Sequence, residues 1–288
     1  TPPLLVEHST IEYMFLPDQD VFRFHNRQFY NRFGMRSADI PEEKTDSELR
    51  VLVIGDSVVN GGSLTDQKDL ATAIVKRKIE AESKFEKVTV ANISAGSWGP
   101  GNQLAYLQTY GFFEADNIIF VISSHDLNDI PEFAPLDPHI HPTRNPPSAF
   151  IEGIYKYLPR YLPALSNHHK DANISSKPKL RTDGPKILRE LFDHALTSNA
   201  KVDVIQYLDR NEIASGQPKS GYTSIKELAT DAGITPTSTQ EAFSNRYSKG
   251  EIPFRDNIHP NVLGQQLLAT TILKAIRSTP PEDAVTKD

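Results

Sequence analysis

The chain has 288 residues, 38% hydrophobic and 24% charged, with a net charge of -6 and no cysteine. This is the balance of an ordinary globular protein. It excludes disulfides, thiolate metal centres and cysteine nucleophiles, and it argues against a dedicated nucleic-acid binder, which would carry a basic face.

Residues 1–49 show no long periodicity but are rich in aromatics and arginines, as in "YMFLPDQDVFRFHNRQFYNRFGMRS". Phe22 and Phe24 alternate with charged residues, which predicts a short strand. The segment reads as a wrap over the main domain, or as a rim that binds sugar or another polymer. The chain begins Thr1-Pro2-Pro3 rather than with Met, which is compatible with an export signal or anchor removed from in front of it.

From Arg50 the pattern becomes regular. A strand "RVLVIG" precedes a helix over about Asp66–Ser83. "KVTVANIS" leads to a helix near Asn102–Tyr110, and "NIIFVISS" ends at His125-Asp126. A helix near Pro185–Ser198 precedes the strand "KVDVIQYL", and a last helix covers about Asn261–Arg277. Apolar strands alternating with amphipathic helices predict a parallel sheet covered on both faces. Ligands of such sheets bind at the carboxyl ends of the strands. No apolar run is long enough to span a bilayer. Residues 130–180 interrupt the alternation with a polar, proline-rich insertion, expected beside the site as a lid. The tail 279–288 is expected to fray.

The chemistry concentrates at two places. The first strand ends at Gly55-Asp56-Ser57, where glycine permits a sharp turn and aspartate stabilises it through local hydrogen bonds. Near the C-terminus, "DNIHPNVLG" sets Asp256 three residues before His259, just ahead of a helix. At that spacing the carboxylate reaches one ring nitrogen and leaves the other to take a proton from a serine hydroxyl. Ser57 alone would be an ordinary turn residue. With Asp256 and His259 it forms a candidate triad.

These two motifs, spanning about residues 50–276 in the same order, resemble the SGNH hydrolases, also called the GDSL esterase/lipase family. The elbow G-x-S-x-G of the ordinary α/β-hydrolases is absent. The resemblance implies a flavodoxin-like three-layer α/β/α sandwich for residues 50–278. It implies Ser57 as nucleophile, His259 as base and Asp256 as its orienter, and an oxyanion hole from the Ser57 backbone, a second-block backbone N–H and a third-block side chain. The second block, "NISAGSWGPGNQ", departs from N-x-G-x-x-G: Ser97 takes the usual donor glycine's place, one residue after Gly96. In the third block, Ser123-Ser124-His125-Asp126 stands where the family has G-x-N-D. A neutral His125 can donate one N–H as asparagine would, and Asn128 is the alternative donor. Trp98 and Asn128 are candidate substrate contacts. Gly99 and Gly101 read as turn glycines.

"DPHIHP" places His139 and His141 two apart, but no third ligand lies at convincing spacing, so no metal is expected. No cofactor is expected either. The reading is a serine esterase that removes acyl groups, with O-acetyl the expected one, from a carbohydrate through an acyl-enzyme. The polar insertion fits a polar polymer better than a lipid. The alternatives are a polysaccharide O-acetyltransferase with the same triad, or a glycan-binding module with weakened catalysis. By analogy with extracytoplasmic bacterial members of the family, the expected location is periplasmic or secreted. Oligomeric state is left open by the sequence.

Overall fold

The computed structural model of the chain describes residues 1–41, 43–82, 85–138, 140–154 and 183–278. Its centre is a five-stranded, wholly parallel sheet. The strands are β5 (Glu48–Gly55), β6 (Lys87–Ser94), β7 (Asn117–Ser123), β8 (Lys201–Tyr207) and β9 (Thr237–Ser238), in spatial order β6-β5-β7-β8-β9. The first four occupy the predicted apolar runs. All eight residues of β5 are buried, as expected for a strand covered on both faces.

Side chains alternate across a strand, and the core divides accordingly. Leu52 and Ile54 face one layer with Ile118, Phe120 and Ile122. Val51 and Val53 face the other with Ile119, Val121 and Ile205. The first layer is covered by α3 (Pro100–Tyr110), α5 (Gly184–Ala195) and α7 (Ser220–Asp231). The second is covered by α2 (Ala71–Glu82), α6 (Arg210–Ser215), α8 (Gln240–Tyr247) and α9 (Val262–Arg277). The helices bury residues at helical spacing: Val75 and Ile79 on α2, and Leu188, Leu191, Phe192 and Ala195 on α5. The expected three-layer α/β architecture is present. The helices run close to the predicted bounds, with α2 starting five residues late because Gln67–Asp69 forms a separate 3₁₀ turn capped by Asp66. No helix among the described residues is long and apolar enough to cross a membrane.

The N-terminal segment contains two antiparallel hairpins, β1 (Leu5–His8) with β2 (Glu12–Phe15), and β3 (Gln19–Arg23) with β4 (Asn26–Tyr30). The single strand predicted around Phe22 is therefore one arm of a hairpin. Ile11, Tyr13, Tyr30, Met35 and Ile40 belong to the first core layer, so the segment is built into the domain. Arg36 is fully buried. Its guanidinium donates to the carbonyls of Asn60 (2.5 Å), Gly62 (2.7 Å) and Thr65 (2.6 Å), tying the segment to the loop after Ser57. Of the expected insertion, residues 155–182 lie outside the described residues, as do His139 and the tail from 279. The described part contains a short helix, α4 (Ala149–Glu152).

Candidate active site

Ser57 opens α1 (Ser57–Asn60), directly after β5. Asp56 is the N-cap, and its Oδ1 accepts the Val58 N–H at 2.8 Å. The helix stops after one turn because Gly61 adopts a left-handed conformation (φ 78°) and returns its N–H to the Ser57 carbonyl at 2.9 Å. The Ser57 N–H lies in the first turn, where no carbonyl of the helix stands behind it.

His259 Nε2 lies 3.0 Å from Ser57 Oγ, and His259 Nδ1 lies 2.8 Å from Asp256 Oδ2. Asp256 Oδ1 accepts the backbone N–H groups of Ile258 and His259, both at 2.8 Å. The three-residue spacing is thus a closed turn that aims the carboxylate at the ring. Burial works against the Asp256 anion, but these backbone donors and the His259 ring together hold its carboxyl below the usual range. Just beyond, Asn261 caps α9, accepting the Gly264 N–H at 3.1 Å. With Asp256 accepting at Nδ1–H, Nε2 is the acceptor facing the serine hydroxyl.

The second block lies alongside. Gly96 and Ser97 line a cavity of about 270 Å³ that also reaches Ser57 and Asn60. Ser97 has φ 58°, the left-handed region where a glycine would sit without strain. Gly99 is more than a turn residue: a Cβ there would meet the Asp129 carbonyl oxygen at 1.7 Å. Trp98 corrects a sequence expectation. It is only 2% exposed, donates its indole N–H to the Tyr13 carbonyl at 3.0 Å and packs on Tyr106. Its ring fills the seam between the N-terminal segment and the sheet and has no face to offer a substrate.

In the third block, His125 follows β7, as its register predicted, but its environment differs from the one expected. Nε2 stands 3.2 Å from Asp126 Oδ1 and 3.5 Å from Asp56 Oδ2. Burial disfavours a charged ring, yet the bond to Asp56 and the charges of Asp126, Asp56 and Asp129 outweigh it and raise the His125 pKa to about 9. These neighbours favour the protonated ring over the neutral donor expected from sequence, and its Nε2 faces carboxylates. Asp126 is fully buried, with its carboxyl pushed well up by burial and by the Asp56 charge. Asp56, His125 and Asp126 bring ligand-type atoms within 4.8 Å of one another, and the imidazolium between two carboxyl groups accounts for that cluster. Asn128 is exposed on the turn after His125, and neither residue belongs to the cavity wall.

Several wall residues were not singled out from sequence. Asn60 follows Ser57 by one helical turn, donates to the Ser94 carbonyl at 3.1 Å and lines the cavity. Gln28 and Tyr30 reach it from β4, and His141 from the loop that the zinc motif had drawn attention to. The Gln28/Tyr30 pair carried a signal, since residues two apart on a strand share a face.

No family model matches the chain, and no curated protein matches it. Solved structures do. The acetylxylan esterase Axe2 from Geobacillus stearothermophilus is 16% identical with a TM-score of 0.52, over 82% of this chain and 97% of that one. The acetyl xylan esterase AlAXEase is 12% identical with a TM-score of 0.52, over 79% and 100%. Catalytic mutants of the Geobacillus enzyme are altered at a serine, at an aspartate and at a histidine three residues after that aspartate. At these identities the likeness is one of fold.

Proposed function

We propose that the chain is a serine ester hydrolase of the SGNH type that removes acetyl groups from a carbohydrate. The observation that carries this reading is the relay Ser57 Oγ to His259 Nε2 (3.0 Å) and His259 Nδ1 to Asp256 Oδ2 (2.8 Å), set at the carboxyl end of a parallel sheet. The fold shared with acetylxylan esterases supports it, as does the aspartate-to-histidine spacing of the Geobacillus enzyme's catalytic mutants.

In this mechanism Ser57 Oγ attacks the ester carbonyl while His259 Nε2 takes its proton, and Asp256 stabilises the imidazolium that forms. Negative charge collects on the carbonyl oxygen. The Ser57 N–H and an N–H from Gly96 or Ser97 stabilise it, and removing one such donor typically costs about 3 kcal/mol of barrier. His125 is the third-block donor of this proposal, acting as a cation. His259 then protonates the leaving sugar oxygen, the ester C–O bond breaks, and water releases acetate from Ser57 by the same steps. The substrate is a polar polymer or oligomer presented outside the cytoplasm.

A chromogenic acetate ester tests the reading directly. Turnover with stoichiometric acetate supports hydrolysis, turnover only with an added glycan acceptor marks a transferase, and no turnover with either removes the esterase reading.

A further inference from the structure

The tip of the second hairpin stands at the cavity beside Ser57. Phe24 and His25 are the two residues that join β3 to β4, and Arg23 pairs with Asn26 across them. Their φ angles are 50° and 64°, both left-handed. This is the pattern of a type I′ turn, in which Asn-Gly is usual. A bulky aromatic is an unfavourable choice for that backbone, and burial does not reward it, since Phe24 is 49% exposed. Phe24 nevertheless lines the cavity that holds Ser57. Backbone strain of this kind gathers where ligands are held.

The turn is also fixed in place. The Asn26 carboxamide donates to the Phe24 carbonyl at 3.0 Å and to the Ser63 carbonyl at 3.2 Å. The Arg27 N–H donates to Asp66 Oδ2 at 2.9 Å. The tip is thus tied to the loop that follows α1. Arg23 pairs with Glu152 of α4 through bonds at 3.1 and 2.6 Å, and its guanidinium lies over the Phe24 ring, 4.6 Å from the centroid. One face of the ring is backed by this cation, and the half-exposed ring remains reachable from the solvent side.

We infer that Phe24 is a specificity-determining residue that stacks against the C–H face of a neutral sugar ring at the mouth of the Ser57 cavity. This rests on the esterase reading for the role of Ser57, but the platform is read by binding and not by turnover. Ring chemistry selects the ligand class. The face of an aromatic ring is electrostatically negative and complements the polarised C–H groups of a pyranose. The reachable polar groups of the same cavity are neutral. Ser63 is half-exposed and Ser97 exposed, and each offers a hydroxyl. His141 is half-buried in the wall, and burial favours its neutral form over the opposing charges of Asp137 and Glu12. These groups can meet sugar hydroxyls, whereas an acyl chain would leave them desolvated and unpaired. Arg23, the cation in the wall, is already engaged by Glu152 and is not offered to a uronate. A cavity of about 270 Å³ falls at the small end of the usual ligand-site range of roughly 300–1,000 Å³. That suits one ring and its ester, with the rest of a polymer outside.

The test separates binding from catalysis. Ser57→Ala protein is titrated calorimetrically with xylotetraose, mannotetraose, cellotetraose, an oligogalacturonide and decanoate, alone and with Phe24→Tyr, Phe24→Leu or Phe24→Asn added. The expected result is binding of at least one neutral oligosaccharide, kept within about 3-fold by Phe24→Tyr and weakened about 10-fold or more by Phe24→Leu and Phe24→Asn. Leucine meets the same backbone strain without a π-face, so the contrast between the tyrosine and leucine variants reads the ring and not the turn. Asparagine tolerates the left-handed region, so Phe24→Asn should leave the melting temperature equal or higher. Loss of binding with a lowered melting temperature in Phe24→Asn assigns the residue a structural role and overturns the proposal. So does a Phe24→Leu variant that binds as well as Phe24→Tyr, sugar binding that ignores Phe24→Asn, tighter binding of the uronide or of decanoate, or no binding of any oligosaccharide. The chromogenic-acetate assay on the unaltered chain is read separately. Sugar binding without turnover there would remove the esterase reading and leave the platform standing, and turnover without sugar binding would do the reverse.

Discussion

Arg36 donates to the carbonyl of Asn60 at 2.5 Å, one helical turn beyond Ser57. The same guanidinium holds Gly62 and Thr65, so an N-terminal side chain with no solvent exposure fixes the loop that follows Ser57, the candidate nucleophile. Burial pushes the Arg36 pKa down from its ordinary value. Arg36→Met removes these donors and leaves the Asn60 and Thr65 carbonyls buried without them. At about 1–3 kcal/mol for each unsatisfied group, the expected loss is roughly 2–6 kcal/mol, seen as a lower denaturation midpoint, with esterase turnover falling as the loop loosens. A variant that unfolds like the parent would show that water or another side chain takes over these carbonyls.

Ser57→Ala is expected to keep the fold and lose nearly all esterase activity. The side chain is half-buried and its hydroxyl bonds chiefly to His259, so little packing goes with it. A fluorophosphonate should label the parent at Ser57 and leave the variant unlabelled. Labelling at Ser94, Ser97 or Ser124 would redirect the assignment.

Asp256→Asn should lower kcat by about 100-fold or more while leaving the turn intact. The carboxamide oxygen can still accept the Ile258 and His259 N–H groups, but its NH₂ would then face His259 Nδ1. That puts the ring proton on Nε2, where it cannot accept from Ser57. The pH dependence has a definite sign. The Asp256 carboxyl is held below its ordinary value, so its contribution is present above the free-carboxylate pKa of about 3.9. It is lost only as pH falls through the depressed value. Stability measured from neutral to mildly acid pH should show no loss traceable to Asp256, and a loss near pH 6 that Asp256→Asn abolishes would contradict the placement.

His125→Asn should retain substantial activity, since an amide N–H can serve the oxyanion, and His125→Ala should lose about 100-fold in turnover. The charge has a separate signature. The folded pKa of about 9 lies above the free imidazole's value near 6.5, so protonation favours the folded state. That stabilisation is complete below pH ~6.5 and disappears as pH rises through about 9. The parent's melting temperature should therefore decline from neutral pH to about pH 9.5, and the decline should be shallower in both variants. Equal activity in the two variants, with Asn128→Ala crippled, would move the donor role to Asn128.

Ser97→Gly should keep activity within about 3-fold, because the proposed contribution of this loop is a backbone N–H. Its φ of 58° suits glycine, and relief of that strain roughly offsets glycine's greater unfolded-state entropy. Ser97→Val, by contrast, should lower both stability and turnover, since a β-branched side chain resists the left-handed region. Thermal unfolding and chromogenic-acetate kinetics on the two variants check the contrast.

The sequence by itself determined the alternation of β5 to β8 with their helices, because apolar runs of strand length and helical spacing are local signals that burial on two faces amplifies. It also determined Ser57, Asp256 and His259 as candidates, since a strand-end turn and a three-residue carboxylate-to-imidazole spacing are both short-range geometry. Tertiary structure alone decided what surrounds them. The raised pKa of His125 depends on Asp56, brought to it by the pairing of β5 with β7. Trp98 is packing because the N-terminal segment closes over it. Gln28 and Tyr30 reach the cavity only because a hairpin some thirty residues before Ser57 folds back onto the carboxyl edge of the sheet. Contacts between positions far apart in the chain leave no periodic trace, so the identity of a wall residue, and the pKa of a group placed among distant charges, appear only once the chain is folded.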